Sequence, residues 1–83
     1  MTVLTVAPEL WSTSMMPQGI LERWRVAPGA IVVAGQAVAE VRIGNYLHEL
    51  SAPTGGRLSI EAQRNDVVEP GSVIGRIAPL TTH

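Results

Sequence analysis

Glycine and proline recur every few residues along this chain and leave no uninterrupted stretch for a long helix. The segments between them are short and rich in β-branched residues, a composition that is typical of β-strands. On this pattern we predict strands at Thr2–Val6, Ile20–Val26, Ala37–Ile43, Tyr46–Ser51, Arg57–Glu61 and Val73–Ile77. Many short strands at regular spacing indicate an all-β sandwich or barrel.

Alternation of side chains predicts which residues face the core of this barrel. Between residues 37 and 43, Ala39, Val41 and Ile43 alternate with more polar positions, and in the preceding strand Ile20, Trp24 and Val26 share one face. We expect the following residues to be largely buried: Ile20, Val26, Val41, Ile43, Leu58, Val68 and Ile77.

The connection between the third and fourth predicted strands is very short. Ile43 and Tyr46 are separated only by Gly44 and Asn45. A Gly-X pair suits a type II′ hairpin turn, since glycine at the first central position accepts a positive φ. We therefore expect Gly44 and Asn45 to form an exposed hairpin tip.

The chain also repeats itself at a constant offset of 36 residues. The segment Gly29–Val38 matches Asn65–Ile74, with glycines at 35 and 71 and aliphatic residues at 32 and 68. Two similar halves indicate a pseudo-twofold molecule in which neither half buries its apolar face alone.

These segments resemble a known family. Gly19–Trp24 with Pro28–Val41 is similar to the first half of a lipoyl domain, and Ala52–Leu58 with Val68–Gly71 is similar to the second half. The chain thus resembles the biotinyl/lipoyl attachment domains, such as that of the acyltransferase component of 2-oxo-acid dehydrogenase complexes. The resemblance implies a barrel-sandwich hybrid, a flattened barrel of two four-stranded antiparallel sheets. We expect one domain over residues 1–83 with its core at about 16–78.

In that family a lysine at the hairpin between the halves carries lipoate or biotin through an amide. The family pattern places Asn45 at this position, and all six basic residues of the chain are arginines. An asparagine amide is not nucleophilic and arginine stays protonated, so we expect no covalent cofactor. Arg42 and Gly44 also stand where lipoyl domains commonly carry acidic residues, and the methionines that bracket a biotinyl lysine are missing.

Two hypotheses for function follow from the resemblance. The first is a non-catalytic module without covalent cofactor that docks to, or supports, enzyme subunits of a multienzyme system. Its candidate partner-binding residues are Arg42, Asn45 and Tyr46. The second is a swinging-arm carrier domain of a 2-oxo-acid dehydrogenase or biotin-dependent enzyme whose lysine is replaced at Asn45, or which holds its cofactor non-covalently.

Other classes of function find little support in the residues. His48 has no serine, cysteine or carboxylate at triad spacing, and we interpret it as a half-buried strand residue. Glu40 and Glu49 are interpreted as solvated strand charges, not a catalytic pair. His48 and His83 alone make no metal site. We therefore predict no enzyme activity of its own and no bound metal.

The bulk composition limits the remaining partners. A formal net charge of -1 with scattered arginines gives no field for nucleic acid. The uncharged stretch over residues 26–39 is too short to span a bilayer and is interrupted by proline and glycine. We expect no nucleic-acid partner and no membrane partner. The absence of cysteine fits a cytoplasmic protein.

Overall fold

Short strands follow one another along almost the whole chain. The computed structural model describes residues 1–12 and 14–80, so His83 lies outside the described residues. A single 3-10 turn covers Pro8–Trp11. In chain order the strands are β1 (Thr2–Thr5), β2 (Gly19–Trp24), β3 (Ile31–Val32), β4 (Ala37–Ile43), β5 (Tyr46–Ser51), β6 (Gly56–Ile60), β7 (Val67–Val68) and β8 (Val73–Ala78).

The strands form two four-stranded antiparallel sheets with related orders. One sheet has the order β1-β8-β6-β3 and the other has the order β5-β4-β2-β7. Moving each strand number on by four converts the first order into the second. This relation corresponds to a pseudo-twofold exchange of the two halves. The two sheets confirm the predicted all-β fold of two four-stranded antiparallel sheets.

The backbone conformation repeats at the 36-residue offset at four positions with positive φ. Gly35 and Gly71 have φ values of 88° and 85°. Gly29 and Asn65 have φ values of 81° and 76°, and Asn65 is the one non-glycine with positive φ among the described residues. Asparagine enters this region more readily than most residues, so Asn65 can replace the glycine of the first half.

The core between the sheets confirms five of the seven residues predicted to be buried, namely Val41, Ile43, Leu58, Val68 and Ile77. Ile20 and Val26 are only half-buried, and Leu21 is fully buried instead.

A β-bulge in β2 explains the error at Ile20. Leu21 pairs with Val41 and Arg23 pairs with Glu40, which leaves Glu22 without a partner on β4. The extra residue reverses the alternation of side chains along the strand. Ile20 therefore faces outward, whereas Trp24, which lies beyond the bulge, packs against the core. None of the helices in the described ranges is long and apolar enough to cross a membrane.

Candidate functional site at the β4–β5 hairpin

The link between the two halves of the barrel is the turn from β4 to β5. Ile43 and Tyr46 are the closing pair of this hairpin, and Gly44 and Asn45 form the two-residue turn. Gly44 has a φ of 61°, whereas Asn45 is not among the residues with positive φ. Positive φ at the first position alone fits a type II′ turn, since type I′ requires it at both. Both turn residues are exposed.

Arg42 lies just before the turn and is held by a carboxylate of the neighbouring strand. Its Nη2 is 2.9 Å from Oε1 of Glu22, and its Nε donates to Oε2 of Glu22 at 3.3 Å. The hydrogen bond from Arg42 holds the pKa of Glu22 below its ordinary value, and Glu22 in turn raises the pKa of Arg42. The positive charge of this candidate partner-binding residue is thus locally compensated. Sequence reasoning missed the pairing, because the bulge at Glu22 produces it.

Tyr46 and His48 line a cavity on one side of the hairpin. Tyr46 is 73% exposed, and His48 is half-buried, as expected for it. The cavity has a volume of about 280 Å³ and is lined by Leu10, Ser14, Ile43, Gly44, Asn45, Tyr46 and His48. Hydroxyl, amide and imidazole groups therefore meet next to an apolar wall at the hairpin tip.

A second groove, mainly apolar, lies beside the same turn. Met16, Ile20 and Val67 line it together with Arg42 and Gly44, and its volume is about 250 Å³. The chain before β2 thus contributes to both cavities at the tip, through Leu10 and Ser14 to the first and through Met16 and Gln18 to the second. Sequence reasoning missed the 3-10 turn in this part of the chain. The available signal was Pro8 followed by an acidic residue, a pair that helix starts favour.

Glu40 and Glu49 occupy opposed positions on β4 and β5, and the interpretation of Glu40 as a solvated charge is wrong. Glu40 is only 8% exposed because arginines cover it. Its Oε1 lies 2.9 Å from Nε of Arg23 and its Oε2 lies 3.1 Å from Nη1 of Arg25. The same Nη1 of Arg25 lies 2.9 Å from Oε2 of Glu49. Both carboxylates are therefore engaged by arginines. The buried charge of Glu40 requires such partners, whereas Glu49 is exposed, as expected for a solvated strand charge.

Metal chemistry has no visible basis at this site. Within the part of the chain that the structure describes, no three histidine or carboxylate side chains come together as metal ligands.

The family comparison and the structural comparison both relate this chain to biotinyl/lipoyl domains. Residues 11–77 match the model of the biotin/lipoyl family, described as "Biotin-requiring enzyme". The fold is similar to the solution structure of the lipoyl domain of the 2-oxoglutarate dehydrogenase complex from Azotobacter vinelandii, with a TM-score of 0.70 and 17% identity over 90% of this chain and 95% of that chain. No curated protein matches the chain. Because the family model covers well over half of the sequence, the chain belongs to the biotin/lipoyl attachment domain family.

Proposed function

We propose that this domain is a docking or structural module of a multienzyme system and that it works without a covalently attached cofactor. One observation carries the proposal: an asparagine, Asn45, stands in the exposed two-residue turn between the halves. The family attaches lipoate or biotin to a lysine at this turn. The chain has no lysine at any position, so its residues do not fit attachment of either group.

The hairpin tip would be the recognition surface of the module. Asn45 and Tyr46 project from the turn, and Tyr46 exposes most of its ring. Tyrosine and arginine are enriched at protein interfaces. Arg42 would contribute with its charge already balanced by Glu22, so contacts here would depend more on shape and hydrogen bonding than on net attraction.

The proposed partners are enzyme subunits of a 2-oxo-acid dehydrogenase complex or of a biotin-dependent carboxylase, acting in the cytoplasm. Support comes from family membership and from the likeness in fold to a lipoyl domain of a 2-oxoglutarate dehydrogenase complex. The domain would itself catalyse no reaction, and its role would be to position those subunits.

Photo-cross-linking tests the docking role directly. Tyr46 is replaced by a photoreactive benzoylphenylalanine, and the control carries the same group at Val33, which is 64% exposed and lies close to the far end of β5. After irradiation in the native host, we expect covalent products between position 46 and a subunit of one of these enzymes. Equal yields of the same products from position 33 would contradict a docking surface at the tip.

The missing amine is tested by Asn45→Lys, with Asn45→Arg as a control that adds the charge without an acylatable amine. Co-expressed with lipoate and biotin ligases, the unaltered chain and Asn45→Arg should keep their unmodified masses. We expect Asn45→Lys to fold but to be modified inefficiently, because Arg42 and Gly44 stand where lipoyl domains commonly carry acids. Quantitative lipoylation or biotinylation of this variant would favour a carrier domain that lacks only its acceptor.

A further inference from the structure

A groove larger than either cavity at the hairpin lies away from the tip and shares no lining residue with them. Its volume is about 590 Å³. Segments 23–28 and 60–64 line it, and these are nearly equivalent stretches of the two halves. The groove therefore runs along the junction that the pseudo-twofold axis creates.

An aromatic side chain is fixed in this groove. Trp24 lines it together with Val26, Pro28 and Ile60. The Nε1–H of Trp24 donates to the carbonyl oxygen of Ala62 at 2.9 Å, which ties the indole to the opposite half of the barrel. A ring held in this way loses little conformational entropy on binding, and tryptophan is prominent among residues that dominate interface energies.

An arginine that makes no direct ion pair among the described residues lines the same groove. Four of the six arginines make ion pairs with carboxylates, namely Arg23, Arg25, Arg42 and Arg76. Arg57 donates to the carbonyl oxygen of Gly29 at 3.1 Å. Among residues 1–12 and 14–80, Arg64 has neither an ion pair nor a side-chain hydrogen bond, and it lines the groove.

The shape of the groove favours a chain segment over a small molecule. It is more open than enclosed. Pockets for small ligands usually enclose most of the ligand surface, which an open groove does not do. An extended segment of another protein can instead place alternate side chains on the floor and at the rim, since successive side chains of a strand point to opposite sides.

We propose that this groove binds an extended segment of a partner protein, with a carboxylate of the segment paired to Arg64 and an apolar side chain packed on Trp24 and Ile60. The charge of Arg64 selects the carboxylate, because a guanidinium and a carboxylate form charge-assisted, often bidentate hydrogen bonds. This second site is independent of the hairpin tip.

The test is an NMR titration of the 15N-labelled domain with a capped five-residue peptide in which two aspartates alternate with three leucines. Its matched control peptide has asparagines in place of the aspartates. We expect the indole N–H of Trp24 to shift while that of Trp11 does not. Affinity should fall about tenfold when the peptide loses its charges or when the domain carries Arg64→Gln.

Arg57→Gln is the matched control variant, since it also removes one exposed arginine charge but outside the groove lining. The affinity of Arg57→Gln for the acidic peptide should stay within about twofold of the unaltered domain. Absence of any shift at Trp24, equal binding of the two peptides, or equal weakening by Arg57→Gln would each overturn the proposal. Failure of cross-linking at Tyr46 would leave these results unaffected, so the two proposals fail separately.

Discussion

Val41 offers the clearest test of how the barrel is held together. It lies in the middle of β4, pairs with Leu21 on β2 and His48 on β5, and is 0% exposed. Val41→Ala removes two methyl groups from a closely packed site, where an added Cβ on Gly19 would already lie 3.3 Å from a methyl carbon of Val41. Neighbouring backbone in two paired strands limits collapse into the space left behind.

The expected loss can be worked out in two parts. Two buried methyl groups lose about 1.6 kcal/mol of transfer free energy at about 0.8 kcal/mol each. A residual cavity of about 20–40 Å³ adds about 0.5–1 kcal/mol. The total, a little over about 2 kcal/mol, should lower Tm by about 8–16 °C in a domain of this size.

Urea and thermal denaturation measure this loss, with Val67→Ala as the matched control. Val67 also lies in a strand of the same sheet but is 57% exposed, so the same substitution should cost below about 1 kcal/mol. Asn45→Ala at the turn should cost well under about 1 kcal/mol. If Val67→Ala or Asn45→Ala lowered the free energy of unfolding as much as Val41→Ala, burial of the side chain would not determine the size of the loss.

Three further predictions concern backbone positions with positive φ and the ion pair at the site. Gly56→Ala should lower the free energy of unfolding, measured by denaturation, by more than about 3 kcal/mol, because an added Cβ would lie 2.2 Å from the carbonyl oxygen of Ala78. Gly44→Ala should lower it by only about 1–2 kcal/mol, because its φ of 61° is the sole source of strain there. Asn65→Gly should leave stability unchanged or raise it slightly and Asn65→Ala should lower it by about 1 kcal/mol, since the φ of 76° favours glycine; equal stabilities would contradict this. Arg42→Gln should raise the pKa of Glu22 in an NMR titration. Because the pKa of Glu22 is depressed in the folded state, the ion pair stabilises the fold at pH values above the unfolded pKa of Glu22. This contribution should disappear as the pH falls through the folded-state pKa of Glu22, and it should be absent from Arg42→Gln at every pH.

Much of the fold follows from the sequence because its strongest signals are local. The six predicted strands agree with the structure to within two residues at each end, since glycine and proline mark their limits. The repeat supplies long-range information that periodicity lacks. Val32 and Val68, matched at the 36-residue offset, lie in β3 and β7 and are both buried.

The features that the sequence did not predict depend on the register between paired strands, which no local sequence pattern reveals. β3 and β7 have only two residues each, too few to alternate. The bulge at Glu22 put Ile20 and Trp24 on opposite faces of β2, and it also placed Glu22 beside Arg42. The burial of Glu40 required two arginines on β2 and just beyond it to fold over a carboxylate on β4. Such pairings become visible only when strands are placed side by side.

The pseudo-twofold relation also indicates why the hairpin turn should tolerate substitution. Most turns of the barrel have a counterpart, as Gly35 does in Gly71 and Gly29 in Asn65, and each pair shares a backbone conformation. The β4–β5 turn is different, because its equivalent step would run from β8 to β1, which the chain does not make. Its residues are exposed and are not required by the other half, so replacement of a lysine by Asn45 should cost the barrel little stability. Loss of the acceptor amine would therefore change what the tip can bind or carry while the two sheets remain intact.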